Sequence, residues 1–200
     1  MIIDAHYHLV AEEWYPEGWW QTVTSMYLEG MKALGMEMPL DTIRQTMIPM
    51  MWDPEGEALI NDMQTNGIDK TVLLPMDYWL MYGEPKVSLE KQLKAYAKFQ
   101  DKHPEKIIAF ATVDPRRPDA VQIVERAIKE WGLQGLNLYP QTGFFVNEPR
   151  TYRVLEKVAE LGVPVTCHTG QLGAAPLRGK YGDPIHLDDV IQDFPGLKIT

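Results

Sequence analysis

The sequence has little cysteine, few basic residues and no long apolar stretch. Its single cysteine, Cys167, excludes an intrachain disulfide. Acidic residues outnumber basic ones by 28 to 19, and the net charge of -9 argues against nucleic acid or an anionic membrane as a partner, since both bind basic surfaces. No apolar stretch approaches the roughly 18 residues of a membrane span, and the first residues do not resemble a secretory signal. We therefore expect a cytoplasmic protein that acts on a small molecule.

Two phosphate-binding motifs are also missing. The sequence contains neither the glycine fingerprint GxGxxG nor a P-loop, which weakens the case for a nucleotide-binding doubly wound sheet. What the sequence does contain is an ordinary globular composition, with 45% hydrophobic and 24% charged residues. Such a composition supplies enough apolar side chains for a sizeable core, so disorder is not expected.

Helical and extended patterns alternate along the chain from residue 54 onward. Helices are predicted over 54–66, 88–103, 118–131, 149–161 and 187–193. Strands are predicted over 1–9, 68–75, 107–114, 133–140 and 163–169, and residues 197–200 open a sixth strand. The first strand is expected to be buried.

This alternation predicts a parallel sheet covered by helices, because parallel neighbours need a long crossover between them. The strands are apolar on both faces, which suits a closed barrel or a doubly wound sheet. We expect an α/β fold of the (β/α)8 TIM-barrel type, with about five and a half units in these 200 residues and residues 1–200 in one domain. Because residue 200 falls inside an apparent strand, a longer barrel is expected; an open sheet is the alternative.

The segment over residues 10–53 is an aromatic and methionine-rich insertion between the first strand and the regular part of the chain. It contains Trp14, Trp19 and Trp20, and methionines from Met26 to Met51. Such side chains suit a wall over a cavity or a subunit contact, since both need large, adaptable apolar area. Simple core packing is an equally supported interpretation. We expect Trp19 to contact the planar body of a substrate.

Two histidines end the first predicted strand. Side chains alternate along a strand, so His6 and His8 point the same way and can hold one ion together. A third imidazole, His168, ends the fifth predicted strand, where Gly170 lets the backbone approach a ligand. Three neutral nitrogen ligands are typical of a catalytic zinc site or a similar divalent metal site. His6, His8 and His168 are therefore the predicted metal ligands.

Further polar residues occur where strands end, which in parallel barrels is the side of the active site. Asn137 and Tyr139 share one face of the fourth predicted strand and are predicted to contact substrate. A buried, hydrogen-bonded structural asparagine is the alternative for Asn137. Asp114 ends the third strand just before a proline, and we expect a turn role for it.

The stretch after His168 is rich in glycine, proline and alanine, as expected of a lid, and it contains Arg178. An arginine near a metal site can bind a substrate carboxylate through two parallel hydrogen bonds. We predict this role for Arg178, with a solvated surface charge as the alternative.

Five motifs in this order resemble the amidohydrolase-related family, which includes aminocarboxymuconate semialdehyde decarboxylase and γ-resorcylate decarboxylase. The motifs are DAHYH (4–8), VDPR (113–116), GLQGLNLYP (132–140), PVTCHTG (164–170) and DDVIQDFPGLKI (188–199). The resemblance covers nearly the whole chain apart from the insertion. It implies a distorted (β/α)8 barrel of the metal-dependent hydrolase superfamily.

The resemblance also implies one divalent metal ion on His6, His8 and His168, with zinc as the expected ion and manganese as the alternative. Family members add an aspartate after strand eight and a catalytic histidine after strand six, and both are expected beyond Thr200. Relatives with two metal ions use a carboxylated lysine on strand four. Asn137 stands at that place and its amide cannot be carboxylated, so a mononuclear site is expected.

These observations together predict a metal-dependent decarboxylase that acts on a small planar or unsaturated carboxylic acid. A metal-dependent hydrolase of esters, lactones, amides or carbon–carbon bonds has the same ligand set and is the alternative. A metal-binding protein without catalytic activity is a third hypothesis. A homodimer is the expected assembly, with neither nucleic acid nor a membrane as partner.

Overall fold

The fold consists of parallel strands separated by helices. The structure, a computed structural model, describes residues 1–170 and 175–200. Its strands are β1 (Ile3–Tyr7), β2 (Lys70–Leu73), β3 (Ile107–Ala109), β4 (Ala111–Thr112), β5 (Leu136–Leu138) and β6 (Val165–Cys167). Its helices are α1 (Glu17–Ala33), α2 (Leu40–Thr42), α3 (Glu57–Asn66), α4 (Trp79–Tyr82), α5 (Leu89–Lys102), α6 (Ala120–Lys129), α7 (Pro149–Leu161) and α8 (His186–Asp193). Shorter helical turns cover Glu12–Trp14, Ile43–Met47, Pro49–Met51, Pro140–Thr142 and Gly179–Gly182.

The strands follow one another around the sheet in chain order. β1, β2 and β3 form one parallel group, and β4, β5 and β6 form the next. The strand predicted over 107–114 is split at Phe110, because its first half pairs with β2 and its second half pairs with β5. Strands of a barrel are tilted and staggered, so a strand changes partners along its length in this way.

The end of the chain begins a further strand. Ile199 forms a parallel bridge with Val165 of β6, and the amide of Cys167 donates to the carbonyl of Thr200 at 2.8 Å. With this bridge the chain contains five β/α units and the start of a sixth. The prediction of about five and a half units of a (β/α)8 barrel is confirmed.

Two helices end at glycines, as the sequence predicted. Gly67 and Gly162 follow α3 and α7 in the left-handed conformation, with φ of 66° and 71°, which glycine adopts at little cost. The predicted apolar face of α5 is also present, since Leu93 and Tyr96 are fully buried. No helix among the described residues is both long and apolar enough to span a bilayer.

Gly135 packs directly against the ring of Phe110. A Cβ atom at position 135 would lie 2.5 Å from two ring carbons, and Phe110 is only 6% exposed, so the ring cannot move freely into solvent. We expect Gly135→Ala to lower the free energy of unfolding by about 1–3 kcal/mol, the usual cost of overpacking a core. Urea denaturation measures this change.

Gly30→Ala is the control for that substitution. Gly30 lies inside α1, and a Cβ atom there meets nothing within 4 Å. Alanine should therefore stabilise the helix by about 0.5–1 kcal/mol. A Gly135→Ala variant as stable as Gly30→Ala would show that the Phe110 ring gives way without cost.

The aromatic insertion contributes some of its largest side chains to the core. Its largest element is α1, a helix of 17 residues that the sequence patterns above did not predict. Trp14, Tyr15 and Trp20 are buried in the hydrophobic core, which supports the core-packing interpretation for these three residues. The insertion also leaves apolar side chains exposed, namely Met26, Leu34, Met36, Leu40, Met50 and Met51.

The first strand differs from its prediction. β1 was expected to be buried, but Ile3 is 49% exposed and His6 is also exposed. Among the described strands β1 pairs only with β2. Within residues 1–170 and 175–200 no strand pairs with the other edge of β1, so side chains near that edge are in contact with solvent.

Candidate metal centre and its cavity

One cavity of about 320 Å³ brings together three of the five histidines. It lies where β1, β5 and β6 end, which is the expected side of a parallel barrel. Its lining residues are His6, His8, Asn137, Tyr139, Thr166, Cys167, His168, Thr169 and Thr200. Larger cavities of about 550 and 360 Å³ beside α1 and of about 390 Å³ beside the start of α6 have no histidine among their lining residues.

His6 and His8 form a close pair. Their Nε2 atoms are 2.9 Å apart, and Nδ1 of His8 lies 2.5 Å from the backbone oxygen of Leu74. A carbonyl oxygen only accepts hydrogen bonds, so Nδ1 of His8 carries the proton and donates it. Nε2 of a neutral His8 then carries the lone pair, which faces His6 and accepts a hydrogen bond from Nε2 of His6. This outer hydrogen bond is the kind that orients metal-ligating histidines.

The surroundings favour neutral imidazoles. Burial lowers the pKa of His8 to about 4, and the nearby His6 and His168 lower it too. Burial also lowers the pKa of His168, and His6 contributes to that shift. At neutral pH both side chains are therefore uncharged, which is the form in which histidine binds a metal ion.

The donor set fits a divalent ion in part. Two nitrogens held about 2.0–2.1 Å from one ion stand roughly 3 Å apart, which is close to the spacing of the His6 and His8 nitrogens. His168 lines the same cavity, and its ring lies 4.5 Å from the ring of Tyr139. However, no group of three His, Cys, Asp or Glu side chains in the described ranges already converges as a metal cluster. The structure thus places two nitrogens together and the third imidazole in the same cavity.

Asn137 is a buried, hydrogen-bonded side chain at the wall of the cavity, and its contact with substrate stays a prediction. Its amide donates to the backbone oxygen of Pro75 at 2.8 Å, and the residue is only 3% exposed, as a structural asparagine would be. It nevertheless lines the cavity. Because its NH₂ group is engaged outside the cavity, the side-chain oxygen is the atom available to a ligand.

Tyr139 also lines the cavity. The residue is 4% exposed, and its hydroxyl is buried without a hydrogen-bond partner among the described residues. Burial raises the pKa of Tyr139 to about 12, so the hydroxyl keeps its proton. The neighbouring Tyr78 hydroxyl donates to the sulfur of Met76 at 2.8 Å.

A series of contacting aromatic rings joins the insertion to the cavity. Trp19 stacks on Tyr78 with 4.5 Å between ring centroids and 19° between ring planes. Tyr78 meets Tyr139 edge-on at 5.4 Å, and Tyr139 lies against His168. Trp19 itself is not among the residues that line the cavity. The structure therefore places Trp19 behind the wall of the cavity, in contact with it through Tyr78.

Arg178 lies outside the cavity lining. It precedes the short helical turn Gly179–Gly182, its side chain is exposed, and its backbone amide donates to the backbone oxygen of Gln141 at 3.2 Å. Part of the predicted lid, residues 171–174, lies outside the described residues. Of the remaining histidines, His103 follows α5 and His186 begins α8, away from the cavity.

Two buried ion pairs support the loops after β2 and β4. Asp114 accepts hydrogen bonds from the backbone amide of Arg116 at 3.0 Å and from its guanidinium, so the predicted turn role is present. Asp77, which the sequence patterns did not single out, binds Arg117 at 2.6 and 2.9 Å. Asp77 also accepts from the backbone amide of Asp114 at 2.8 Å. The two loops are therefore joined by charge-assisted hydrogen bonds.

Solved structures resemble the chain along its whole length. The chain is 18% identical to the 5-carboxyvanillate decarboxylase of Novosphingobium aromaticivorans complexed with manganese and 4-hydroxy-3-methoxy-5-nitrobenzoic acid, with a TM-score of 0.66 over 100% of this chain and 64% of that one. It is 15% identical to 2,6-dihydroxybenzoate decarboxylase from Rhizobium, with a TM-score of 0.61 over 99% and 64%. It is 21% identical to 4-oxalomesaconate hydratase from Rhodopseudomonas palustris, with a TM-score of 0.58 over 100% and 62%.

At these identities the likeness shows the fold, and the chain spans less than two thirds of each of these three proteins. No curated protein matches the chain. The family model described as amidohydrolase matches residues 3–200, which is nearly the whole chain. The resemblance seen in the motifs is thereby confirmed, and the chain belongs to the amidohydrolase family.

Proposed function

We propose that the chain forms the metal-binding part of a decarboxylase that acts on a small planar or unsaturated carboxylic acid. The observation that carries this proposal is the cavity that His6, His8 and His168 line, with a His8 nitrogen directed toward His6. The similarity in fold to two decarboxylases of aromatic acids supports the choice of reaction. The cavity of about 320 Å³ is of a size suited to a small ligand.

His6, His8 and His168 are the proposed ligands of one divalent ion. When bound, such an ion polarises a substrate oxygen or lowers the pKa of a bound water. We expected zinc from the sequence; manganese is the ion named with the carboxyvanillate decarboxylase, so both ions belong in the tests. The hydrogen bond from His8 to Leu74 holds the His8 lone pair in place before any ion arrives.

The other side chains of the cavity have separate proposed roles. The Asn137 oxygen is available to accept a hydrogen bond from substrate, and its anchored NH₂ group keeps that oxygen fixed. The Tyr139 ring provides a flat apolar surface beside His168 for a planar substrate. Trp19 supports this surface from behind the cavity wall, through Tyr78. A planar substrate that covers the Tyr139 ring excludes water from that side of the cavity, and exclusion of water favours protonation of carbon over hydrolysis.

Arg178 is the proposed partner of the substrate carboxylate. Its backbone is joined to Gln141, two residues after Tyr139 of the cavity wall. A guanidinium binds a carboxylate through two hydrogen bonds and stays charged at any physiological pH. Substrate binding would have to bring this exposed side chain to the cavity.

The reaction is tested by supplying the purified protein with zinc or manganese and screening two groups of compounds. Aromatic and unsaturated carboxylic acids are assayed for carbon dioxide release, and esters, lactones and amides are assayed for acid production. We expect carbon dioxide release, and we expect Arg178→Ala to lower kcat/KM by about 10- to 100-fold, since a hydrogen bond to a charged group contributes about 1.5–3 kcal/mol. Lys180→Ala is the matched control, because it removes a neighbouring exposed cation.

Three outcomes would contradict the proposal. Acid production from uncharged esters or lactones, unaffected by Arg178→Ala, would make hydrolysis the function. Addition of water to an unsaturated acid without carbon dioxide release would favour a hydratase, a reaction found in one protein of similar fold. A protein that gains no thermal stability from zinc or manganese would be a non-catalytic member of the family. Size-exclusion chromatography with light scattering tests the expected homodimer.

A further inference from the structure

Gln141 is a fully buried side chain that joins the loop after β5 to the loop after β6. It lies in the short helical turn Pro140–Thr142 and is 0% exposed. Its Nε2 donates to the backbone oxygen of Gly170 at 2.9 Å and to that of His168 at 3.3 Å. The NH₂ group of Gln141 therefore binds two carbonyl oxygens of the segment that leaves β6, one on each side of Thr169.

The orientation of this amide is determined by its partners. Both partners are carbonyl oxygens, so only the NH₂ end of the side chain can face them. The opposite atom, Oε1, is buried without a hydrogen-bond partner among the described residues. A buried unpaired acceptor costs free energy and calls for an explanation. The two hydrogen bonds that Nε2 donates explain the unpaired Oε1, because an amide that turns its NH₂ group to these carbonyls turns its oxygen away from them.

The surrounding backbone makes room for the amide. A Cβ atom on Gly182 would lie 2.0 Å from Nε2 of Gln141 and 2.9 Å from the backbone oxygen of Gly170. Gly182 does not have a positive φ, so glycine is required there by space and not by backbone conformation. The amide of Gly170 donates to the carbonyl of Gly182 at 2.8 Å. Gln141 is thus enclosed between these two glycines.

We propose that Gln141 is a positioning residue for His168. The amide of His168 is already held by the carbonyl of Leu138 at 2.9 Å, which fixes the end of β6 on one side. The Gln141 hydrogen bonds fix the carbonyls of His168 and Gly170 and so the direction of the backbone that carries the His168 imidazole. This inference rests on the proposed function, in which His168 is a metal ligand.

The test replaces Gln141 by glutamate and compares it with the same replacement at Gln92. Gln92 is also buried and also donates to two backbone carbonyls, of Trp14 at 2.7 Å and of Val87 at 3.0 Å, but it is not part of the cavity. Each change places a carboxylate against two carbonyl oxygens. Both variants should therefore lose thermal stability, and only Gln141→Glu should affect metal binding.

Cobalt(II) is the probe, because its visible absorption reports the ligands around it as well as binding. We expect Gln141→Glu to raise the Kd for cobalt by about 10- to 100-fold, as for other residues that orient a ligand, and to change the absorption bands. Gln92→Glu should keep both the wild-type Kd and the wild-type bands. A change in the bands is the readout that a loss of stability alone would not produce.

Gly182→Ala is the second variant, in case Gln141→Glu does not fold. Its added methyl pushes on the Gln141 amide and should weaken cobalt binding in the same direction. Gly196→Ala, where a Cβ meets nothing within 4 Å, is its control. The same methyl would also lie 2.9 Å from the backbone oxygen of Gly170, so Gly182→Ala should weaken cobalt binding less in the Gln141→Ala background, where only that second contact is left.

The outcomes separate this inference from the proposed function. A wild-type protein that binds no cobalt would overturn the proposed metal site and this inference with it. A wild-type protein that binds cobalt, together with folded Gln141→Glu and Gly182→Ala variants that keep its Kd and absorption bands, would overturn the role of Gln141 and leave the metal site standing.

Discussion

The His8→Ala and His168→Ala variants are expected to bind a divalent ion more than 100-fold more weakly than the wild type. Loss of a group that only orients a ligand typically costs 10- to 100-fold in affinity, and removal of a ligand should cost more. His8 should show the larger loss, since its nitrogen lies 2.9 Å from that of His6 and its ring is already oriented by Leu74. Titration with zinc and manganese, combined with metal analysis of the purified proteins, measures the effect.

His103→Ala is the control for this experiment. His103 follows α5 and lies outside the cavity, so its loss should leave metal affinity unchanged. Full metal occupancy in the His168→Ala variant would remove His168 from the ligand set. The His6 and His8 pair would then need other partners.

The Asp77→Ala variant is expected to lose about 3–5 kcal/mol of unfolding free energy, the typical cost of removing one partner of a buried ion pair. The Asp77 side chain is 4% exposed and that of Arg117 is 10% exposed. The substitution leaves the guanidinium without its two short hydrogen bonds and leaves the backbone amide of Asp114 without its acceptor. Urea denaturation followed by circular dichroism gives the free energy of unfolding.

Glu84→Ala provides a matched comparison, because Glu84 binds the same guanidinium at 2.9 Å. The Glu84 side chain is 48% exposed, so water screens the pair and replaces the lost contact. Its removal should cost less than about 1 kcal/mol. Similar losses for the two variants would mean that burial does not determine the strength of the Asp77 pair.

The parts of the fold that depend on local sequence were predictable. Gly67 and Gly162 mark the ends of α3 and α7 because few other residues adopt the left-handed conformation found there. The parallel arrangement followed from the spacing of the strands, since each crossover needs a helix. The first signal is a single residue, and the second needs only the two strands on either side of one helix.

Features that depend on distant neighbours were not predictable. The split at Phe110 arises because β3 and β4 have different partner strands. The exposure of β1 depends on whether another strand pairs with the edge of β1 that faces away from β2. The helix α1 had a local signal, since Trp20, Val23 and Thr24 follow helical spacing and are buried. Its aromatic content suggested a surface or a cavity wall and concealed this spacing.

The same distinction applies to the site. Its histidines, Asn137 and Tyr139 were found because residues at the ends of parallel strands gather on one side of a barrel. The position of Trp19 behind Tyr78 depends on how an insertion folds back, which no strand pattern encodes. Asp77 was missed because its partner Arg117 is 40 residues away in the sequence.

The single thiol of the chain lies within β6, next in sequence to His168. Burial raises the pKa of Cys167 to about 12, so almost none of it is thiolate, the reactive form, at neutral pH. Alkylating reagents therefore react slowly with Cys167, which is only 6% exposed but lines the cavity. A ligand in the cavity blocks this access and slows the reaction further, so the protein contains its own chemical reporter of cavity occupancy.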